Sequence, residues 1–156
     1  MEPRIDYRTV APDAMKTMFQ FQQSVGQTDL EHNLIELVKL RASQINGCGY
    51  CLDMHSKDAL AMGEDEQRIY VLSAWREAPF YSDRERAALA WTEAVTEIGK
   101  AGVSDELYEE TLAQFSEKEI VDLTMIVIAI NAWNRLAVPF RAEVGSYQPQ
   151  KKVPAA

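Results

Sequence analysis

Apolar residues along this chain recur every three or four positions, with charged and polar residues between them, in one segment after another. That period puts them on one face of an α-helix, because residues three and four apart are neighbours on its surface. Residues 1–11 show no such period and are expected to form an extended arm. Pro12 and Asp13 open a helix from Ala14 to about Val25, with Met15, Met18, Phe19 and Val25 as its apolar positions and Gly26 at its end. Asp29 is the expected N-cap of the next helix, Leu30 to about Ile45, whose stripe is Leu34, Leu37, Val38 and Ile45. A third helix is predicted from Gly47 to about Met62, stopped by Gly63. A fourth runs from Glu64 to Trp75, with Ile69, Val71, Leu72 and Trp75 available for packing, and Pro79 breaks it.

Ser82 with Glu85 three positions later forms a capping box, which opens a helix over Asp83 to Ile98 that ends at Gly99. Ser104 caps a shorter helix carrying Leu107, Tyr108, Leu112 and Phe115. A second capping box, Ser116 with Glu119, opens the longest helix, Glu117 to about Leu136, which Pro139 ends. Between Leu123 and Ile130 that helix is apolar nearly all round, so it belongs among the other helices or between subunits. No strand pattern is visible. The prediction is an all-α fold, a single-domain helical bundle of about six to seven helices over residues 1–156. Its core runs from about residue 15 to 140, and the arm at 1–11 and the polar tail at 145–156 are expected to be mobile.

A length of 156 residues, with 47% hydrophobic and 26% charged residues, is ordinary for one globular domain with a sizeable core. Charge narrows the field further. Sixteen basic against 24 acidic residues leave a formal net charge of −8, a surface that repels phosphate backbones, so nucleic acid is not an expected partner. The N-terminal MEPRIDYRTV lacks the apolar run of an export signal, and LTMIVIAI at 123–130 is too short to span a bilayer. A cytoplasmic protein with no membrane partner is expected. In that compartment a CxxC points to catalysis or metal binding rather than to a structural disulfide.

The candidate chemistry lies in ELVKLRASQINGCGYCLDMH, Glu36 to His55, which holds both cysteines and one of the two histidines. Cys48, Cys51 and His55 are three, four and seven apart, so a helix starting at Gly47 carries both sulfurs and the imidazole on one stripe. The sulfurs then sit in its first turn, where unpaired N–H groups and the helix dipole favour a thiolate. Asn46-Gly47 is a turn signal. Two antiparallel helices meeting there place Glu36 and His55 at roughly 15 and 12 Å from the turn, at similar height if both point inward.

Four readings compete for the cysteines. A c-type haem site needs a histidine directly after the second cysteine, and Leu52 stands there. A thioredoxin-like site needs a preceding strand, and none is visible. A structural zinc site needs four ligands, for which Cys48, Cys51, His55 and Glu36 are available, and a plain buried pair is the bland alternative. The fourth is a helical dithiol site, which requires neither cofactor nor metal. In it, a thiolate attacks a peroxide or a disulfide, and the second cysteine closes the ring and releases product. His55, one turn beyond Cys51, is placed to take the first proton, and Glu36 to orient His55 and accept the proton onward. Near Leu37 and Leu40, Glu36 is expected to have a raised pKa. His32, alone near the start of its helix, is expected at the surface.

Glu36, eleven residues, and then Cys48-Gly49-Tyr50-Cys51-Leu52-Asp53-Met54-His55 resemble the core motif of the alkylhydroperoxidase AhpD family, within the carboxymuconolactone decarboxylase-like superfamily. Residues 115–136, FSEKEIVDLTMIVIAINAWNRL, resemble that family's C-terminal helix, including Asn131, Asn134 and Arg135. The resemblance implies an all-helical fold, a homo-oligomer (trimer or hexamer), and peroxidase or disulfide-reductase chemistry on a small hydroperoxide or disulfide. It implies that Cys51 attacks the peroxide, that Cys48 resolves, that Glu36 and His55 relay protons, and that a lipoyl or thioredoxin-like thiol resets the pair. Helix-dipole reasoning alone favours Cys48 for first attack. Tyr50 stands where the peroxidase members carry a histidine, which implies an altered relay and substrate. Members that decarboxylate a lactone lack the cysteine pair, so that reaction is not expected. A non-enzymatic oligomeric protein binding a metal or ligand through the same residues is the alternative function.

Overall fold

The computed structural model describes residues 2–149, and every regular element among them is helical. In chain order these are α1 (Tyr7–Val10), α2 (Pro12–Val25), α3 (His32–Asn46), α4 (Gly49–Ala61), α5 (Glu66–Tyr70), a 3₁₀ turn (Leu72–Ala74), α6 (Asp83–Thr96), α7 (Ile98–Ala101), α8 (Asp105–Leu112) and α9 (Glu117–Phe140). Six of them have eight residues or more, which agrees with the bundle expected from the periodicity. Two helices organise the rest. α3 packs against α4, α6 and α9, and α9 also touches α2, α4 and α6.

The core follows from the apolar stripes. Leu34, Val38, Trp91, Leu123 and Val127 bury together where α3, α6 and α9 meet. Leu37 and Leu40, on the next face of α3, pack with Leu72, Trp75 and Leu89. A third cluster joins Ala42, both cysteines, Ile130 and Ala137, so the CxxC lies against α9 and not at the surface. α9 is 24 residues long and contains an 18-residue stretch of mean hydropathy 1.4, enough by length and composition to cross a membrane. Its buried side nevertheless faces the other helices, with Ile120, Leu123, Ile126 and Val127 in the core, as in the core helix of a globular bundle. Both capping boxes form as read, Ser82 with Glu85 and Ser116 with Glu119.

Several boundaries differ from the sequence expectation. α3 begins at His32, with Glu31 and not Asp29 at its N-cap, because Thr28 ties the preceding turn to Asp122. The helix expected over Glu64 to Trp75 breaks after Tyr70. There the Tyr81 hydroxyl donates to the Arg68 carbonyl, and Leu72 turns into the core. Pro139 does not end α9 but lies in its last turn, where the N–H it lacks leaves the Arg135 carbonyl without its ladder partner and no further turn follows to be disrupted. The free carbonyls there are taken from outside the helix: Arg4 donates from its backbone N–H to the Phe140 carbonyl at 3.1 Å and from its guanidinium to that of Pro139 at 3.0 Å. The arm is therefore not simply extended. Asp6 N-caps the single turn α1, and Tyr7 is buried against Phe140.

Gly145 to Tyr147, the start of the expected tail, fold back along α4. The Gly145 N–H donates to Asp53, the Lys57 ammonium to the Tyr147 carbonyl, and the Tyr147 hydroxyl to Asp58 at 2.7 Å. Residues 150–156 of that tail lie outside the described residues. His32 is exposed.

Candidate active site

The site is built on the reversal between α3 and α4. Gly47 closes α3 in the left-handed region, with φ 66°, a conformation in which a side chain would strain. The helix expected to start at Gly47 therefore starts two residues later, at Gly49, and Cys48 is its N-cap. The Cys48 sulfur accepts the Cys51 N–H at 3.3 Å. The pair is joined as a disulfide with Cα atoms 5.3 Å apart, and both residues are buried. Behind the reversal, the Asn46 amide donates to Asn131 and Asn134 of α9, and Asn134 donates in turn to Ser43. These buried and partly buried polar contacts are satisfied within the protein, so they fix the turn against α9.

Glu36 and His55 meet as their spacing allows. Glu36 Oε2 lies 2.7 Å from His55 Nδ1, with the two residues 5% and 6% exposed. The other carboxylate oxygen accepts from the Lys39 ammonium, also at 2.7 Å. A carboxylate on Nδ1 selects the neutral tautomer that carries its proton there, leaving Nε2 as the basic nitrogen. The raised pKa expected for Glu36 is not found. Burial pushes it up, but the hydrogen bond and charge of His55, with Lys39 behind them, outweigh burial and lower it to about 2. Glu36 is thus held as an anion, which orients the imidazole and is a poor acceptor for its proton.

Asp58 joins this group one turn after His55. One ligand atom from each of Glu36, His55 and Asp58 lies within 4.8 Å of the other two. The zinc set read from the sequence differs, since it used both cysteines, which are joined to each other here. A cation on the observed set would compete with Lys39 and His55 for Glu36 and with the Tyr147 hydroxyl for Asp58. Lys39, Asp58 and Tyr147 were missed in the sequence reading. The first two stand at helical spacing from Glu36 and His55 and were open to detection, but Tyr147 arrives from the far end of the chain.

Two hollows flank the disulfide. A cavity of about 240 Å³ is lined by Cys51, His55, Lys39 and Tyr50, with Phe19 and Trp133 among its apolar walls. Trp133 is held by its indole N–H donating to Gln22 and by Phe19, 5.2 Å away between ring centroids. A larger, more open hollow of about 700 Å³ is lined by Cys48, Gly49, Arg141 and Val144, among others. Tyr50 and Ala137 border both.

Comparison with known proteins shows the family and the fold. Residues 12–94, which hold the whole Glu36–His55 segment, match the model of the carboxymuconolactone decarboxylase family. The uncharacterized protein YdfG of Bacillus subtilis is 44% identical over 138 residues, 88% of this chain and 94% of that protein. A crystal structure from Agrobacterium tumefaciens, of a protein of unknown function named as a candidate AhpD antioxidant defence protein, superposes with a TM-score of 0.91 at 44% identity. It covers 94% of this chain and all of that one. A peroxidase-related protein of Ralstonia eutropha with an AhpD core shares the fold at 19% identity and a TM-score of 0.77, over 89% of this chain and 74% of that one. This chain belongs to the carboxymuconolactone decarboxylase family and has the fold of its AhpD-like members.

Proposed function

We propose that this protein is a thiol-dependent peroxidase, or a closely related dithiol oxidoreductase, that cycles between the Cys48–Cys51 disulfide and the free dithiol. The observation that carries this reading is that Cys51 and His55 line one small cavity while Glu36 holds the far side of the imidazole. In the reduced protein His55 takes the Cys51 proton, and the thiolate attacks the distal oxygen of a hydroperoxide. The S–O bond forms, the O–O bond breaks, and the alcohol leaves with a proton from His55. Cys48 then attacks the sulfenic acid, the disulfide forms and water departs. Two electrons from an external dithiol, of lipoyl or thioredoxin-like type, return the pair to its reduced form.

A family assembly into trimers or hexamers is consistent with the exposed Val121, Met125 and Ile128, which stand at helical spacing on the outer face of α9. The second reading, a metal-binding role without catalysis, draws on the Glu36, His55 and Asp58 cluster. The existing Lys39 and Tyr147 contacts count against it. One experiment separates the two: the reduced protein is given one equivalent of hydroperoxide, and free thiols and bound zinc are counted before and after. Loss of two thiols with no stoichiometric metal supports the peroxidase. Two persistent thiols sink it.

A further inference from the structure

The two cysteines of the disulfide, each buried, border different hollows. Cys51 borders the smaller cavity, together with His55, whereas Cys48 borders the larger one, on the side where residues 141–144 close in from the C-terminal end of α9. Tyr50, the residue between the cysteines, stands with Ala137 in the wall between them. The larger hollow is kept in shape by the returning chain. Val144 lies over Gly49, where even an added Cβ would come within 3.3 Å of it, and Gly145 and Tyr147 are hydrogen-bonded to α4. The sequence assigned nothing to this face.

Disulfide exchange is directional. The incoming thiolate approaches in line with the S–S bond, from behind the sulfur it attacks, and the other sulfur leaves as a thiolate. Attack on Cys51 would bring the reductant through the smaller cavity and expel Cys48, which has no basic or acidic group of the relay beside it. Attack on Cys48 uses the open hollow and expels Cys51 toward the cavity that holds His55.

We infer that the disulfide is reset from the Cys48 side: a thiol reductant enters the hollow between Cys48 and residues 141–144 and bonds to Cys48, releasing Cys51 beside His55. This deepens the proposed function by assigning the reductant its own face, separate from that of the peroxide. In the first step the reductant thiol gives up its proton, which His55 takes, its thiolate forms an S–S bond to Cys48, the Cys48–Cys51 bond breaks, and His55 returns the proton to the Cys51 thiolate. In the second, the other thiolate of the same dithiol attacks its partner sulfur in the mixed disulfide. This frees the Cys48 thiolate and leaves the reductant as its own disulfide. Two electrons pass from the dithiol to the protein, and the peroxide's cavity remains free throughout. The hollow is also wider than a hydroperoxide needs, which suits a thiol presented on a larger carrier.

The test starts from the oxidised full-length protein and a monothiol, 2-mercaptoethanol, which has no second thiol of its own to resolve the mixed disulfide, so a short exposure captures the first step. After that exposure, aliquots are quenched with acid and then brought to near-neutral pH in a large excess of N-ethylmaleimide, which blocks the released thiols. Chymotrypsin cleavage after Tyr50 then separates the two cysteines for mass spectrometry. The expected result is mercaptoethanol on Cys48 and maleimide on Cys51, in at least tenfold excess over the reverse. The reverse pattern, an even mixture, or no adduct at a thiol concentration that opens free cystine would each overturn the inference. Closure of the reduced pair by hydrogen peroxide is followed separately. If it fails, the peroxidase reading falls, while the position of the adduct still decides which sulfur is attacked.

Discussion

Glu36 and His55, nineteen residues apart, are joined at 2.7 Å across the α3–α4 reversal, with the carboxylate on Nδ1. The imidazole is thereby oriented with Nε2 turned away from the carboxylate. This makes the two residues one functional unit.

The kinetic consequence is non-additivity. His55→Ala should slow hydroperoxide consumption by about 10²- to 10⁴-fold, the usual loss of a general base. Glu36→Gln should slow it less, because the imidazole remains, and the double variant should be little worse than His55→Ala alone. Stopped-flow rates with saturating reductant measure all three. Multiplicative losses would mean that Glu36 acts independently of His55.

Acid should weaken the fold through Glu36. Its folded pKa of about 2 lies below the usual 4.5, so between those values the unfolded chain binds more protons. The stabilisation is present above about pH 4.5 and is lost as pH falls toward 2, by on the order of 3 kcal/mol for a shift from 4.5 to about 2. Glu36→Gln should therefore show a shallower decline over that window in urea titrations. Parallel declines would show that the carboxylate contributes no such term.

The order of the cysteines is open to direct capture. Cys48→Ser should leave a sulfenic acid on Cys51 that dimedone traps after a peroxide pulse, and Cys51→Ser should leave none, since Cys51 shares its cavity with His55. Trapping on Cys48 instead would reverse the roles.

Gly47 should be intolerant of a side chain for backbone reasons alone. A Cβ there meets nothing within 4 Å, yet φ is +66°. Gly47→Ala is expected to cost about 1–2 kcal/mol in chemical denaturation, the penalty of the left-handed conformation. A neutral outcome would mean that the reversal can relax, and with it the placement of Cys48.

Assembly should depend on the outer face of α9, where Val121 is 61%, Met125 37% and Ile128 44% exposed. Light scattering of the wild type should give a multiple of 17.6 kDa, and Ile128→Arg should reduce it toward one subunit. A wild-type mass of one subunit at micromolar concentration removes the idea.

Much of this protein was legible without coordinates because it is local. A three- to four-residue apolar period sets each helix, and Ser82 with Glu85 and Ser116 with Glu119 cap theirs within a single turn. Cys51 and His55 share a face of α4 by spacing, and Glu36 reaches His55 because a tight reversal at Asn46-Gly47 leaves little freedom between two helices. The rest was decided by contacts that no short window contains. Glu36 is anionic because His55 and Lys39 both hold its carboxylate, whereas its apolar neighbours alone argued for the opposite shift. α5 stops where Tyr81 takes the Arg68 carbonyl, and α9 continues through Pro139 because Arg4, 135 residues away, satisfies its end. Tyr147 reaches Asp58 from 89 residues along the chain, and the two hollows beside the disulfide exist only because α1, α2 and the segment after α9 converge there. Periodicity reports which face of a helix is buried. Which partner buries it, and with what charge, is settled only when distant segments compete for the same space.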